Sequence, residues 1–229
     1  MNYFAHALDF LGDPYFVAGT AVPDWLTVAD RRVRLRRRHL ARAVNHPDPA
    51  LSALARGIAQ HLDDDARFHE SRAFVELSMA ISAAARDFLH EPSGMRPAFL
   101  GHLLVEVLLD ASLIAANPER LNDYYRLLEQ ADPARVEASV NTMAPEPTER
   151  LAGMMVAFCR ERILWDYLHD ATLLRRLNQV MRRVGLAALP AEFVDLLPAL
   201  RGLVDRRSAA LLGRPGPGAV SERLALGSP

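Results

Sequence analysis

Two stretches carry metal-ligating side chains at strict helical spacing, inside sequence that otherwise reads as buried. In Gly57-Ile-Ala-Gln-His61-Leu-Asp-Asp-Asp65-Ala-Arg-Phe-His69 they are His61, Asp65 and His69, at i, i+4 and i+8. In His102-Leu-Leu-Val-Glu106-Val-Leu-Leu-Asp110 the spacing is the same. Residues four apart lie nearly above one another on a helix, so each stretch projects three imidazole or carboxylate groups from one face. Zinc, manganese and iron(II) accept such ligands. A helix rises ~1.5 Å per residue, so i to i+8 spans about 12 Å and one stripe cannot deliver all three groups to a single ion. Either two ions lie between the helices, or one member of each triple supports a ligand or touches substrate. A two-ion centre suits phosphoester hydrolysis, where one ion activates water and both steady the phosphoryl oxygens.

Counting alone decides little. With 28 acidic residues and 8 His in 229, about one such triple is expected by chance. The setting of the second triple says more. Leu103, Leu104, Val105, Val107, Leu108, Leu109, Leu113 and Ile114 leave its helix no polar face, so it belongs in a core. Glu106 and Asp110 are then buried carboxylates, costly unless paired with core arginines or bound to metal. Upstream, His6 sits in the apolar segment Tyr3-Phe-Ala-His-Ala-Leu8, where a hydrogen-bonded core histidine is the plain alternative. Asp24 follows Pro23 in an apolar run and would otherwise be an N-cap for the next helix.

Helices must position these groups, since strand signals are almost absent and no Asn-Gly or Asp-Gly hairpin occurs. Periodicity and breakers predict helices over roughly 2–11, 15–22, 28–45, 48–70, 72–90, 95–116, 118–130, 133–142, 148–184 and 191–212. Pro14, Pro23, Pro47, Pro49, Pro92, Pro118, Pro133, Pro145, Pro147 and Pro190 punctuate them. The expectation is all-α: a single-domain helical bundle over 1–212, with a disordered tail over 213–229 that is rich in Gly and Pro at its start.

Composition narrows the class. All 27 basic residues are Arg, and the net charge of −1 argues against a dedicated nucleic-acid binder. One cysteine, Cys159, excludes an internal disulfide framework and fits a reducing compartment. The N-terminus lacks a basic segment followed by a long apolar stretch, and no window holds eighteen uncharged apolar residues. No signal peptide and no spanning helix are expected, and a cytoplasmic location follows. Seven arginines crowd 31–42, most simply a solvated helix face, alternatively an anion-docking surface. His169-Asp170 has no ligand at helical spacing in an apolar setting and is read as coincidence. No phosphate-cradling Gly-rich loop and no Gly-x-Ser-x-Gly elbow is present.

Four segments resemble bacterial acyl carrier protein phosphodiesterases. Met1-Asn-Tyr-Phe-Ala-His6 is similar to their Met-Asn-aromatic-apolar-Ala-His start, and Ala18-Gly-Thr-Ala-Val-Pro-Asp24-Trp25 to their Gly-Asn-apolar-apolar-x-Asp-aromatic segment. Gly57-Ile58-x-x-His61-x-x-x-Asp65 resembles their Gly-Ile-x-x-His-Arg-x-x-Asp. Val105-Glu106-Val107-Leu-Leu-Asp110 resembles their Leu-Asp-Val-x-x-Asp-His. The matches run in order through about residue 115. The chain departs at Leu62, where the family has Arg, at His69, where it has Asp, and at Ala111, where it has His; His102 is an addition. The paired histidines also resemble helical zinc-dependent phospholipase C-like proteins.

The resemblance implies a fold of HD-phosphohydrolase type and a divalent centre, commonly manganese, with zinc or iron as alternatives. It implies hydrolysis of the phosphodiester joining phosphopantetheine to a carrier protein. Its functional places fall on His6, Asp24, His61, Asp65 and Asp110, with Glu106 replacing an Asp. The full expected ligand set is His6, Asp24, His61, Asp65, His69, His102, Glu106 and Asp110, binding one or two ions. Asp24 or a neighbouring carboxylate such as Asp65 would act as general base, and Arg67 would steady the phosphate. An acidic carrier protein would dock on 31–42. The alternatives are hydrolysis of lipid or nucleotide phosphodiesters, and a non-catalytic helical binding protein with a structural metal.

Overall fold

Every regular element is helical, with no strand, among the residues described by the computed structural model, 3–91 and 95–214. The all-α expectation is met. The helices are α1 (Tyr3–Ala7), α2 (Pro14–Ala29), α3 (Arg37–Leu40), α4 (Pro49–Glu70), α5 (Arg72–Leu89), α6 (Met95–Ala116), α7 (Pro118–Gln130), α8 (Pro133–Met143), α9 (Leu151–Glu161), α10 (Asp170–Arg183), α11 (Leu197–Asp205) and α12 (Ser208–Leu211). Tight 3-10 turns occupy Leu8–Phe10, Ile163–Leu168 and Ala191–Asp195. An Asp-Pro start recurs. Asp13, Asp48 and Asp132 each accept backbone N–H groups of the first turn, and the following proline fills the position that needs no donor.

The chain sorts into two compact units, Met1–Ala66 with Leu113–His169, and Arg67–Ser112 with Asp170–Pro229. In the first, α1 packs on α2 and α7, and α2 also packs on α7 and α9. Its core is aromatic: Phe158 faces Tyr3 at 4.9 Å, Trp25 at 5.4 Å and Tyr125 at 5.8 Å between ring centres. Cys159, next along α9, is half-buried, and burial followed by the nearby Glu129 pushes its thiol up to about 11. In the second unit, α11 and α12 pack on α5, and the 191–195 turn packs on α10 and α11. There Phe88 meets Phe193 edge-on at 5.6 Å.

The sharpest contact in the first unit is between backbones. A Cβ on Gly57 of α4 would stand 2.1 Å from the Phe16 carbonyl oxygen. A Cβ on Gly19 of α2 would stand 2.4 Å from that of Leu54. Only two glycines permit α2 and α4 to cross this closely. The crossing sets Thr20 beside His61, one turn beyond Gly57.

Several expected boundaries are corrected. The helix over 28–45 does not form. Residues 30–36 are irregular, and only Arg37–Leu40 is helical. Asp30 accepts from the Arg32 backbone and side chain. Val33 and Leu35 are buried between exposed Arg32, Arg34 and Arg36, an alternation that suits extended chain. Conversely, Pro23 does not stop the second helix, which runs to Ala29; Asp24 is therefore inside a helix and is not an N-cap. The long helix over 148–184 breaks at Arg162, in the left-handed region at φ 46, and again at His169. The helix over 191–212 divides into a 3-10 turn, α11 and α12.

By length and composition α6 could cross a membrane, but 67% of its most apolar stretch is buried inside the protein, as in a core helix. Met1 and Asn2 of the opening motif, the 92–94 part of one expected breaker, and 215–229 of the expected tail lie outside the described residues.

Candidate metal centres

The two stripes are not used as triples. Two trios form instead, each within one unit: His6, His61 and Asp65 in the first, and His69, His102 and Glu106 in the second. Within each trio, one donor atom per residue lies within 4.8 Å of the others.

The first trio combines α1 with α4. His6 and His61 are buried, with ring centres 4.3 Å apart, and Asp65 is partly exposed. Each imidazole has an outward partner on Nδ1. That of His61 donates to the Thr20 carbonyl oxygen at 2.7 Å, across the Gly19–Gly57 crossing. That of His6 lies 3.5 Å from Asp64 Oδ2, and Gln60 donates to the other oxygen of that carboxylate at 2.9 Å. Metal-binding histidines characteristically direct their second ring nitrogen at a carbonyl or carboxylate, which fixes the ring and bares the other nitrogen's lone pair. His6 Nε2 is buried and has no hydrogen-bond partner, which leaves it as such a donor. Burial, and then the neighbouring His6, push the His61 pKa down to about 4, against the pull of Asp24 and Asp65. At neutral pH it is an uncharged imidazole, the form that binds metal. The residues fit a divalent ion.

The second trio joins the last turn of α4 to α6. His69 Nε2, His102 Nε2 and Glu106 Oε1 stand 3.1 Å apart in every pairing. The two rings stack at 4.6 Å with 21° between planes, and Phe74 meets both edge-on at 4.7 and 5.0 Å. Glu106 is buried. The His102 and His69 rings both lie at hydrogen-bonding distance from its Oε1.

The remaining expected residues fall elsewhere. Asp24 acts electrostatically on His61 but belongs to neither trio. Asp110 is fully buried on α6 and likewise joins neither. Arg67 is exposed and belongs to the second unit. In the 31–42 stretch, Arg32 pairs with Asp30 and Arg37 with Asp63. Reading the sequence missed Asp64 and the Thr20 carbonyl. Asp64 is hidden in a run of three aspartates, and a backbone carbonyl leaves no trace in residue type.

No family model, curated protein or solved structure matches the chain in the three comparisons made.

Proposed function

We propose that this chain is a metal-dependent phosphodiesterase of HD-domain-like type, with His6, His61 and Asp65 as its ion-holding residues. The carrying observation is that both imidazoles face outward neighbours at Nδ1: His61 bonds the Thr20 carbonyl at 2.7 Å, and His6 lies 3.5 Å from the Asp64 carboxylate. Nε2 of each is thereby left to an ion beside Asp65. When bound, a divalent ion supplies an activated water and neutralises charge on the phosphoryl oxygens. Manganese is the favoured ion, with zinc or iron(II) as alternatives. Asp24, which acts electrostatically on His61, would be the residue to accept a proton from such a water. The ordered resemblance of His6, Asp24 and His61–Asp65 to carrier-protein phosphodiesterases supports the reaction class.

The substrate is a phosphodiester, and the phosphopantetheine linkage of an acidic carrier protein is the preferred one. Arg34, Arg36, Arg38 and Arg42 are exposed within the same unit as the trio, a cationic surface suited to such a partner.

Purified protein is expected to hold a stoichiometric divalent ion and to hydrolyse a chromogenic phosphodiester. His61→Ala should lose the ion of this trio and the turnover, with activity down on the order of a hundredfold or more. Metal content and turnover both equal to wild type in that variant would remove the assignment.

A further inference from the structure

We infer that His69, His102 and Glu106 form a second site for one divalent first-row transition ion, of facial two-imidazole, one-carboxylate type and open towards solvent. The proposal stands apart from the phosphodiesterase reading, which uses the other trio.

Hydrogen bonds among the three groups alone do not account for the geometry. Each imidazole Nε2 carries either one proton or one lone pair, directed in the plane of its ring. With both nitrogens protonated, each can donate to Glu106 Oε1, but two N–H groups are then left 3.1 Å apart with nothing to accept between them. With only one protonated, a bare nitrogen lone pair faces the carboxylate oxygen at the same distance. With the Glu106 carboxylate ionised, no assignment of the two ring protons satisfies all three pairs. A cation on their common axis satisfies all three at once.

The distances also select a coordination geometry. Three atoms 3.1 Å apart lie about 1.8 Å from their common centre. An ion ~2.1 Å from each would stand about 1.1 Å above their plane, with ligand–ion–ligand angles of about 95°. That is close to the 90° face of an octahedron and further from a tetrahedron. Further positions remain on the ion's far side. The His102 side chain is 49% exposed and that of His69 27%, which gives this face solvent access, while Glu106, at 6%, anchors the inner side. Phe74 covers the edges of both rings, making an apolar collar that holds them stacked. Two imidazoles and one carboxylate with open positions match iron(II), cobalt(II) or nickel(II) better than calcium or magnesium, which take oxygen ligands.

The test is a titration of the chelator-stripped, full-length protein with Co2+ under anaerobic conditions, read by equilibrium dialysis and visible absorption. Wild type should bind two equivalents, one of them with the weak spectrum of a six-coordinate ion. His102→Ala and the isosteric Glu106→Gln should each lose that equivalent and its spectrum. His102 is half exposed, so the fold should survive its loss, and an unchanged near-ultraviolet dichroism spectrum verifies this. His6→Ala should lose the other equivalent only. Two equivalents retained in both His102→Ala and Glu106→Gln would overturn the site. So would a single wild-type equivalent abolished by His6→Ala. Failure of wild type to cleave phosphodiesters would count against the proposed reaction and leave these stoichiometries as they are.

Discussion

His61 couples the first trio to pH. An ordinary imidazole titrates near 6.5, whereas burial and then the His6 ring hold this one at about 4. Between those values the unfolded chain takes up a proton that the native protein refuses. The stability contributed by this group is therefore complete above about pH 6.5. It declines as pH falls and is gone below about 4, a loss on the order of 3 kcal/mol. Urea unfolding of the metal-free protein at pH 7, 5.5 and 4.5 should show that decline, and His61→Gln should flatten it; parallel profiles in the two proteins would contradict it. Asp30 does not confuse the measurement. The Arg32 hydrogen bonds lead in holding it at about 2, so its contribution is lost only as pH falls from near 4 towards 2. At this scale the sequence was readable where residue type and spacing coincide, as in His61–Asp65 and His102–Glu106. It was silent where a backbone oxygen does the work, as Thr20 does for His61.

Among the elements, the crossing of α2 and α4 matters most for the first trio. The part of its two glycines is spatial: each sits where a methyl group would strike the opposite backbone. Gly57→Ala should force α4 away from α2, cost about 2–3 kcal/mol and weaken metal binding by parting His61 from the Thr20 carbonyl. Gly153→Ala in α9 is the matched control. Nothing lies within 4 Å of its added carbon, and the better helix propensity of Ala should raise stability by up to ~1 kcal/mol. Thermal melts and metal titrations of both variants measure this, and a Gly57→Ala protein indistinguishable from wild type would refute it. Helices that open on an Asp-Pro or Asn-Pro step, such as α4, α7 and α8, were legible to within a residue or two. The 30–36 segment was not, because seven arginines drew attention to charge and away from the buried Val33 and Leu35 alternating between them. Pro23 misled for another reason: tertiary packing around Val22, Trp25 and Leu26, all buried, outweighs one missing hydrogen bond.

For the whole molecule, every residue of both trios lies before Leu113, yet the first unit needs 113–169 to close. Tyr3 and Trp25 rest on Phe158, and Phe4 meets Tyr124 at 6.0 Å. A fragment of residues 1–112 therefore carries both trios without the wall that holds α1 and α2. It should show no cooperative melt and no stoichiometric metal, by circular dichroism and elemental analysis; a fragment that folds and loads normally would show that the later helices are dispensable. The same wall contains the chain's one thiol. Cys159 stays protonated at neutral pH and sits half-covered beside Phe158. Since thiolate is the reactive form, a maleimide should meet it slowly in the native protein and faster once α9 loosens. The protein thus carries a built-in chemical reporter: without any engineered label, the rise of its alkylation rate above the native baseline follows the loosening of the first unit.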